Sequence, residues 1–319
     1  MANKTRCCIT GGCGFLGRHV VKYFLDNTDW DLFVMDRLNY ASDADKLFKD
    51  NKSDRLNFIY HDLGSPIPDA LTERMGDIEL IYHLAANSSV EYLIKNPAES
   101  VKDNVLSTVN VLEYARSLKN LKLMNYFSTD EVYGAVDKPE DGFDEEAPHK
   151  PSNPYSAGKA AGEDYAYAWH KTYNLPVFIS NTMNIFGHGQ NKEKFLPTII
   201  RCVNSGEELP VYSSKDGKVA GSRYWIYAYD VASALLFLAD KAVPGEKYHI
   251  VGTWSDNLEL AKKIAKIIGK PLKYKMFDFH SSRPGHDLHY GLEDTKLHKM
   301  GWKLETGLEE GLDKIIKEN

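Results

Sequence analysis

The sequence predicts a doubly wound α/β fold, a parallel sheet with helices on both faces, together with a second, smaller α/β unit. Short runs rich in β-branched and aromatic residues recur at 6–10, 32–36, 57–60, 80–83, 121–127 and 177–180. Longer apolar-periodic segments lie between them, such as 101–118 and 157–173, each long enough for the crossover helix that joins parallel strands. The chain has 319 residues, 43% of them hydrophobic and 26% charged, an ordinary globular composition. Single cores seldom grow beyond roughly 250–300 residues, so a second unit is expected.

The first run, 6–10, leads into Thr10-Gly-Gly-Cys-Gly-Phe-Leu-Gly17, which places Gly11, Gly14 and Gly17 at a strand-to-helix turn. Small residues there let the backbone approach a pyrophosphate on the helix N-terminus, where N–H groups and the dipole favour negative charge. The second run ends on Asp36, placed to accept hydrogen bonds from adenosine ribose hydroxyls; it favours NAD, while the neighbouring Arg37 leaves NADP open. The third is followed by His61-Asp62-Leu63, which puts Asp62 either near the adenine or in a turn. The fifth leads into Ser128-Thr129-Asp130-Glu131-Val132-Tyr133-Gly134, two carboxylates at the strand end where open α/β sheets hold their ligands. Neighbours in a strand face opposite ways, so Asp130 and Glu131 reach one ligand only if the chain turns there; the alternative is a solvated pair at a helix start. Pro154-Tyr155-Ser-Ala-Gly-Lys159 opens the next helix with a phenol and an ammonium on one face. A nearby ammonium, helped by the positive nicotinamide, is expected to lower the Tyr155 pKa towards that of a working base.

After Asn181 the rhythm breaks into a polar stretch at 187–194 and a turn at 212–217, followed by a helix at 230–241, a strand at 247–252 and an amphipathic helix at 258–268. The expected domains are 1–181 plus 223–252 for the dinucleotide, and 182–222 plus 253–319 for the substrate.

Thirty-nine Lys and Arg against forty-five Asp and Glu give a net charge of −6, so no positive field gathers nucleic acid. The longest apolar stretches, such as 232–239, fall short of the roughly 20 residues of a bilayer span. The few residues before the first apolar run leave no room for a secretory signal, so the cytoplasm is expected. Four cysteines do not make a disulfide framework, and no metal site is expected: Cys7 and Cys8 are strand neighbours that point apart, and His280, His286 and His289 have no supporting ligands.

The glycine loop, Asp36 and Tyr155-x-x-x-Lys159, in this order, resemble the extended short-chain dehydrogenase/reductases over essentially the whole chain. That resemblance implies a Rossmann sheet with a C-terminal substrate domain. It implies tightly bound NAD, because an enzyme that returns its own hydride gains by keeping the cofactor. The cofactor residues are then Gly11, Gly14, Phe15, Leu16, Gly17, Asp36, Asp62, Leu63, Ala85, Ala86, Asn104, Tyr155 and Lys159. The Thr129-Asp130-Glu131 run further resembles the nucleotide-sugar 4,6-dehydratases, whereas related 4-epimerases carry small or hydroxyl residues at the two acidic positions. This implies oxidation at C4, loss of water across C5 and C6, and hydride return to C6, with a 4-keto-6-deoxy sugar nucleotide as product, on the way to deoxysugars such as rhamnose. By the same resemblance Tyr155 removes the hydroxyl proton, Lys159 holds the nicotinamide ribose, Thr129 bonds the C4 hydroxyl, Asp130 is the acid and Glu131 the C5 base. One base and one acid beyond the tyrosine are what the chemistry requires.

The resemblance extends to substrate residues Ser88, Asn184, Lys194, Val211, Tyr212, Arg223 and Arg283, and to a homodimer packed through the helices after Asn104 and Tyr155. Arginine forks suit a diphosphate in an otherwise acidic chain. The sequence departs from the dTDP-glucose enzymes at Asn87-Ser88-Ser89-Val90-Glu91-Tyr92, where they have Glu-Ser-His-Val-Asp-Arg, at Asn181, where they have arginine, and at His188, where they have proline. UDP-glucose therefore stays open beside dTDP-glucose, a 4-epimerase is the second reading, and a silent NAD-binding protein is the third.

Overall fold

The structure is a computed structural model, described for residues 4–138, 141–278 and 287–317. The chain runs through β1 (Arg6–Thr10), α1 (Phe15–Asn27), β2 (Asp31–Asp36), α2 (Ala44–Asp50), β3 (Leu56–Tyr60), α3 (Asp69–Met75) and β4 (Leu80–His83). Two short helices, α4 (Val90–Lys95) and α5 (Pro97–Ser100), precede a π-helical segment, Val101–Leu106, that continues as α6 (Ser107–Ser117). Then follow β5 (Leu123–Thr129), a 3-10 turn (Asp130–Val132), α7 (Pro154–Tyr173) and β6 (Val177–Thr182). The six runs read from the sequence are the first six strands.

A seven-stranded sheet has the order β10-β6-β5-β4-β1-β2-β3, where β10 is Lys247–Ile250. The strand pairs β1 with β2, β2 with β3, β1 with β4 and β4 with β5 are all parallel. From β1 the chain steps outward to β2 and β3, then returns to β4 on the other side. The crevice beyond the carboxyl ends of β1 and β4 is therefore the switch point at which such sheets bind ligands. Cys8, Met35, Ile59, Ile81, Met124 and Ile179 from the strands, with Val111, Leu112 and Ala166 from helices, form one buried core. Cys7, Cys8, Cys13 and Cys202 are buried free thiols.

The remaining elements are β7 (Asn184–Phe186), α8 (Phe195–Ser205), β8 (Leu209–Ser213), β9 (Ser222–Tyr227), α9 (Ala228–Ala239), β11 (Thr253–Asp256), α10 (Asn257–Ile268), β12 (Tyr274–Asp278), α11 (Thr295–Lys299) and α12 (Leu308–Lys317). Two small sheets, β11-β9-β7 and β12-β8, are covered by α8, α10 and α12 around a core that includes Ile199, Val211, Trp225, Ile264 and Leu312.

The chain divides into two compact units. The first is 1–132, 153–181 and 232–248; the second is 133–152, 182–231 and 249–319. Relative to the expected boundaries, 133–152, 223–231 and 249–252 fall in the second unit and 253–319 stays there. Backbone pairing explains it: Val136 N donates to His289 O at 3.2 Å, Phe143 N to Gly291 O at 3.1 Å, and β9 pairs with β7 and β11. No helix among the described residues is long and apolar enough to cross a membrane.

Candidate active site

The glycine turn is held where β1 ends. Gly11 has φ +70°, and a Cβ on it would lie 2.7 Å from the Ala85 Cα, so only glycine lets this loop lie against the exit of β4. A Cβ on Gly17 would run into the Gly11 carbonyl. Helix α1 starts at Gly14 with no side-chain cap, and Arg18 N is the N–H that reaches back to Gly14 O, at 3.1 Å. The N–H groups of Phe15, Leu16 and Gly17 thus have no acceptor in the helix, which suits an anion such as a pyrophosphate.

Asp36 is buried at the end of β2. Its Oδ1 accepts from Leu38 N at 2.8 Å and Ser42 Oγ at 2.9 Å, and its Oδ2 from Cys13 N at 3.1 Å. The carboxylate is fixed against the glycine turn. Arg37 next to it makes a two-pronged ion pair with Asp103, at 2.8 and 2.9 Å, and reaches Asp62 at 3.4 Å. Burial pulls the Asp62 pKa up, but the Gly64 N–H and Arg37 together hold it below its ordinary value. Asn104 is buried in the π-helical segment, where its side chain accepts from Asn87 N at 2.8 Å and donates to Asn87 O at 3.1 Å. Leu63 is buried, and Ala85 donates its N–H to Thr10 Oγ1 at 3.3 Å.

At the end of β5 the chain does turn. The 3-10 turn lets Asp130 and Glu131 escape strand alternation: Thr129 Oγ1 donates to Asp130 Oδ1 at 2.9 Å, and Asn153 Nδ2 donates to Glu131 Oε2 at 3.2 Å. Asp130 is buried and Glu131 half-buried. Asn153 also caps α7, with Asn153 Oδ1 accepting from Ser156 N at 3.0 Å and Pro154 at the first helical position. One asparagine therefore fixes both the start of α7 and a carboxylate. Pro154 marked the helix start in the sequence, but nothing read there marked Asn153 as its cap or as a partner of Glu131.

Tyr155 and Lys159 lie one helical turn apart in α7. The Tyr155 pKa is raised, first by burial and then by the Glu131 and Asp130 charges, with only the Thr129 hydroxyl working the other way. Lys159 is not among these effects, and the other expected source of a lowering, the positive nicotinamide, belongs to the bound cofactor. Burial pushes Lys159 itself down to about 7, partly opposed by Glu163, and its Nζ sits 4.2 Å from the centre of the Tyr126 ring. Glu163 is buried too; it pairs with Lys247 at 2.9 Å and accepts from Asn181 Nδ2 at 2.6 Å. Asn181 Nδ2 also donates to Thr129 O at 3.1 Å, so the residue standing in the arginine position braces the active-site strand. The association of Glu163, Asn181 and Lys247 escaped the sequence reading because it depends on tertiary packing.

In the second unit, Asn184 is half-buried on β7, Lys194 is exposed before α8, and Tyr212 is half-buried on β8, whereas Val211 is fully buried in that unit's core. Arg223 spends three N–H bonds on backbone carbonyls, those of Ser222 at 2.6 Å, Leu288 at 2.7 Å and Asp287 at 2.7 Å, and lies over the Tyr290 ring. His289 Nδ1 meets Ser222 Oγ at 2.7 Å. Ser88 is exposed and Ala86 half-buried after β4 in the first unit. Arg283, His280 and His286 lie outside the described residues. Among the described residues no cluster of three or more His, Cys, Asp or Glu side chains suits a metal.

Comparison with known proteins agrees with this geometry. The model of the NAD dependent epimerase/dehydratase family matches residues 7–251. The dTDP-glucose 4,6-dehydratase of Haemophilus influenzae is 33% identical over 329 residues, covering 97% of this chain and 96% of its own. The crystal structure of a dTDP-glucose 4,6-dehydratase from Streptomyces venezuelae, with NAD and TYD bound, matches with a TM-score of 0.88 at 29% identity, over 98% of this chain and 96% of that one. The UDP-glucose 4-epimerase of Thermus thermophilus, in complex with NAD, has a TM-score of 0.87 at 24% identity, covers 98% of both chains and shares the fold. The glycine turn at the switch point and the match along most of its length make this chain a member of the NAD dependent epimerase/dehydratase family.

Proposed function

We propose that this protein is an NAD-dependent nucleotide-sugar 4,6-dehydratase, a hydro-lyase that converts dTDP-glucose to its 4-keto-6-deoxy product and water. The observation that carries the reading is the turn that follows β5: it sets two carboxylates, Asp130 and Glu131, close enough to Tyr155 for both charges to act on its phenol. A 4-epimerase needs neither group, whereas elimination of water needs one further base and one further acid.

NAD supplies the hydride acceptor at C4 and the donor at C6. In this assignment Gly11, Gly14, Phe15, Leu16 and Gly17 hold its pyrophosphate, Asp36, Asp62 and Leu63 its adenosine, and Ala85, Ala86 and Asn104 the far side of the crevice. Tyr155 takes the C4 hydroxyl proton and Lys159 holds the nicotinamide ribose. Glu131, half-open to solvent and steadied by Asn153, takes the C5 proton. Asp130, buried and bonded by the Thr129 hydroxyl, delivers a proton to the departing C6 hydroxyl. Ser88, Asn184, Lys194, Val211, Tyr212, Arg223 and Arg283 are assigned to the nucleotide sugar. The protein is further assigned to the cytoplasm, where NAD and sugar nucleotides are at hand. Its helices α6 and α7, which pack against each other and leave Tyr165, Tyr167 and Tyr173 exposed, are the face for a homodimer.

Mass spectrometry of dTDP-glucose and of UDP-glucose, each incubated with protein and NAD, tests the reading. Loss of one water from dTDP-glucose is the expected result. Loss from UDP-glucose alone would change the nucleotide, and an unchanged mass with inversion at C4 would replace the dehydratase by an epimerase.

A further inference from the structure

Arg37 directly follows the ribose carboxylate Asp36, the place at which an arginine admits the 2′-phosphate of NADP. Its guanidinium is committed elsewhere. Both terminal nitrogens donate to Asp103, at 2.8 and 2.9 Å, and Asp103 Oδ2 also accepts from Asn87 Nδ2 at 3.1 Å. The Asp103 side chain is only 4% exposed, against 29% for Arg37. Pulling the fork away would strip a buried carboxylate of its counter-ion, which is strongly unfavourable. The pair joins residues 66 apart in sequence, the exit of β2 and the π-helical segment, and through Asn87 it also ties in the exit of β4. In that segment Asp103 and its neighbour Asn104 both reach Asn87. Asp62 lies on the same guanidinium at 3.4 Å, and Lys102 faces Asp62.

We infer that Asp103 sets the choice of dinucleotide: by holding Arg37 in a two-pronged ion pair it withholds that cation from a 2′-phosphate. A phosphomonoester on the ribose would meet Asp36, Asp62 and Asp103 while the Arg37 fork is engaged. Asp36 alone repels the phosphate; Asp103 also removes what would compensate for the repulsion. The inference rests on the NAD reading of the switch-point crevice.

The test is competition. Wild type, Asp103→Asn, Arg37→Met and the double variant are each equilibrated with equimolar NAD and NADP, freed of unbound dinucleotide, and the bound fraction is identified by mass spectrometry. Wild type is expected to hold NAD. Asp103→Asn keeps the volume and one acceptor while discharging the pair, so its bound NADP-to-NAD ratio should rise at least tenfold. The double variant, with no arginine to release, should return to the wild-type ratio, as should Arg37→Met. An unchanged ratio in Asp103→Asn that still carries NAD overturns the inference. So does an equal rise in the double variant, because Arg37 would then not be the receiving group. A wild type that binds neither dinucleotide overturns the cofactor reading itself, an outcome distinct from both.

Discussion

The two ends of the crevice in the first unit treat charge in opposite ways. At the β2 end, Asp36 has three donors, and Arg37, Asp62, Asp103 and Asn87 close a network in which each charge has a near partner of opposite sign or a hydrogen bond. At the β5 end, two carboxylates crowd a buried phenol whose pKa they raise, and a buried ammonium is pushed down to about 7. The first arrangement is satisfied as it stands, the mark of a surface that grips. The second holds shifted groups, with Tyr155 kept protonated and Lys159 pushed towards the neutral form, and perturbations of this kind cluster at functional sites. On the proposed function, the difference separates binding from chemistry along the carboxyl ends of the strands of one sheet.

Replacing Tyr155 by Phe tests that separation hardest. It removes one hydroxyl and leaves the ring packing, so turnover should fall about 10³-fold, within the range for a lost general base, while NAD content is unchanged. Turnover and bound NAD measured on the same preparation check this; loss of NAD together with turnover would show that the two ends are one functional unit. Glu131→Gln should act next most strongly. Oxidation at C4 should survive, seen as absorbance of reduced cofactor on adding substrate, while release of water falls at least about 100-fold. Water loss at the wild-type rate would remove Glu131 from the chemistry and leave its bond to Asn153 as a structural one.

What the sequence disclosed follows the same division. Short-range features were readable: the six strand runs, the glycine turn, the start of α7 at Pro154, and the four-residue spacing of Tyr155 and Lys159 all depend on neighbours a few positions away. The turn needed by Asp130 and Glu131 was readable as a condition, and the 3-10 segment meets it. The π-helical segment was not, since 101–118 has the apolar period of an ordinary helix. Nor were the Arg37 and Asp103 pair, the Glu163 and Lys247 pair or the small sheets of the second unit, because they join residues that only the strand order and the return of the chain bring together. For Tyr155, spacing gives proximity to Lys159 but says nothing of burial, which is the first cause of its raised pKa.

A steric prediction sharpens the gripping end. Gly17→Ala places a methyl group against the Gly11 carbonyl and the Gly12 Cα, both backbone and unable to swing away. Overpacking of this kind costs about 1–3 kcal/mol and should loosen the loop on the dinucleotide. Thermal unfolding with and without added NAD measures both effects. Stabilisation by NAD equal to that of wild type would show that the turn tolerates a wider curve and that its glycines are not what admits the phosphates.

The smallest effect concerns the β5 end and is read from stability against pH. Lys159 falls from an ordinary 10.5 to about 7 in the folded protein, so across that interval the unfolded chain binds a proton that the folded one does not. The Lys159 contribution to unfolding free energy should therefore rise with pH from 7 towards 10.5, with a slope of at most about 1.4 kcal/mol per pH unit. Other groups bound the useful window. Cys8 and Cys13 rise from 9.0 to about 12 on folding, which makes stability fall above pH 9, and His83, lowered from 6.5 to about 3, gives its slope below 6.5. Between pH 7 and 8 Lys159 makes the largest contribution among these groups, before Cys7, Cys8, Cys13 and Cys202 together oppose it, and Lys159→Met should flatten the slope there in denaturant titrations of cofactor-free protein. A slope that survives the substitution would mean that the ammonium stays charged beside Glu163 and the Tyr126 ring. The β5 end would then be as well satisfied as the β2 end, and its chemistry would have to draw its tension from the substrate instead.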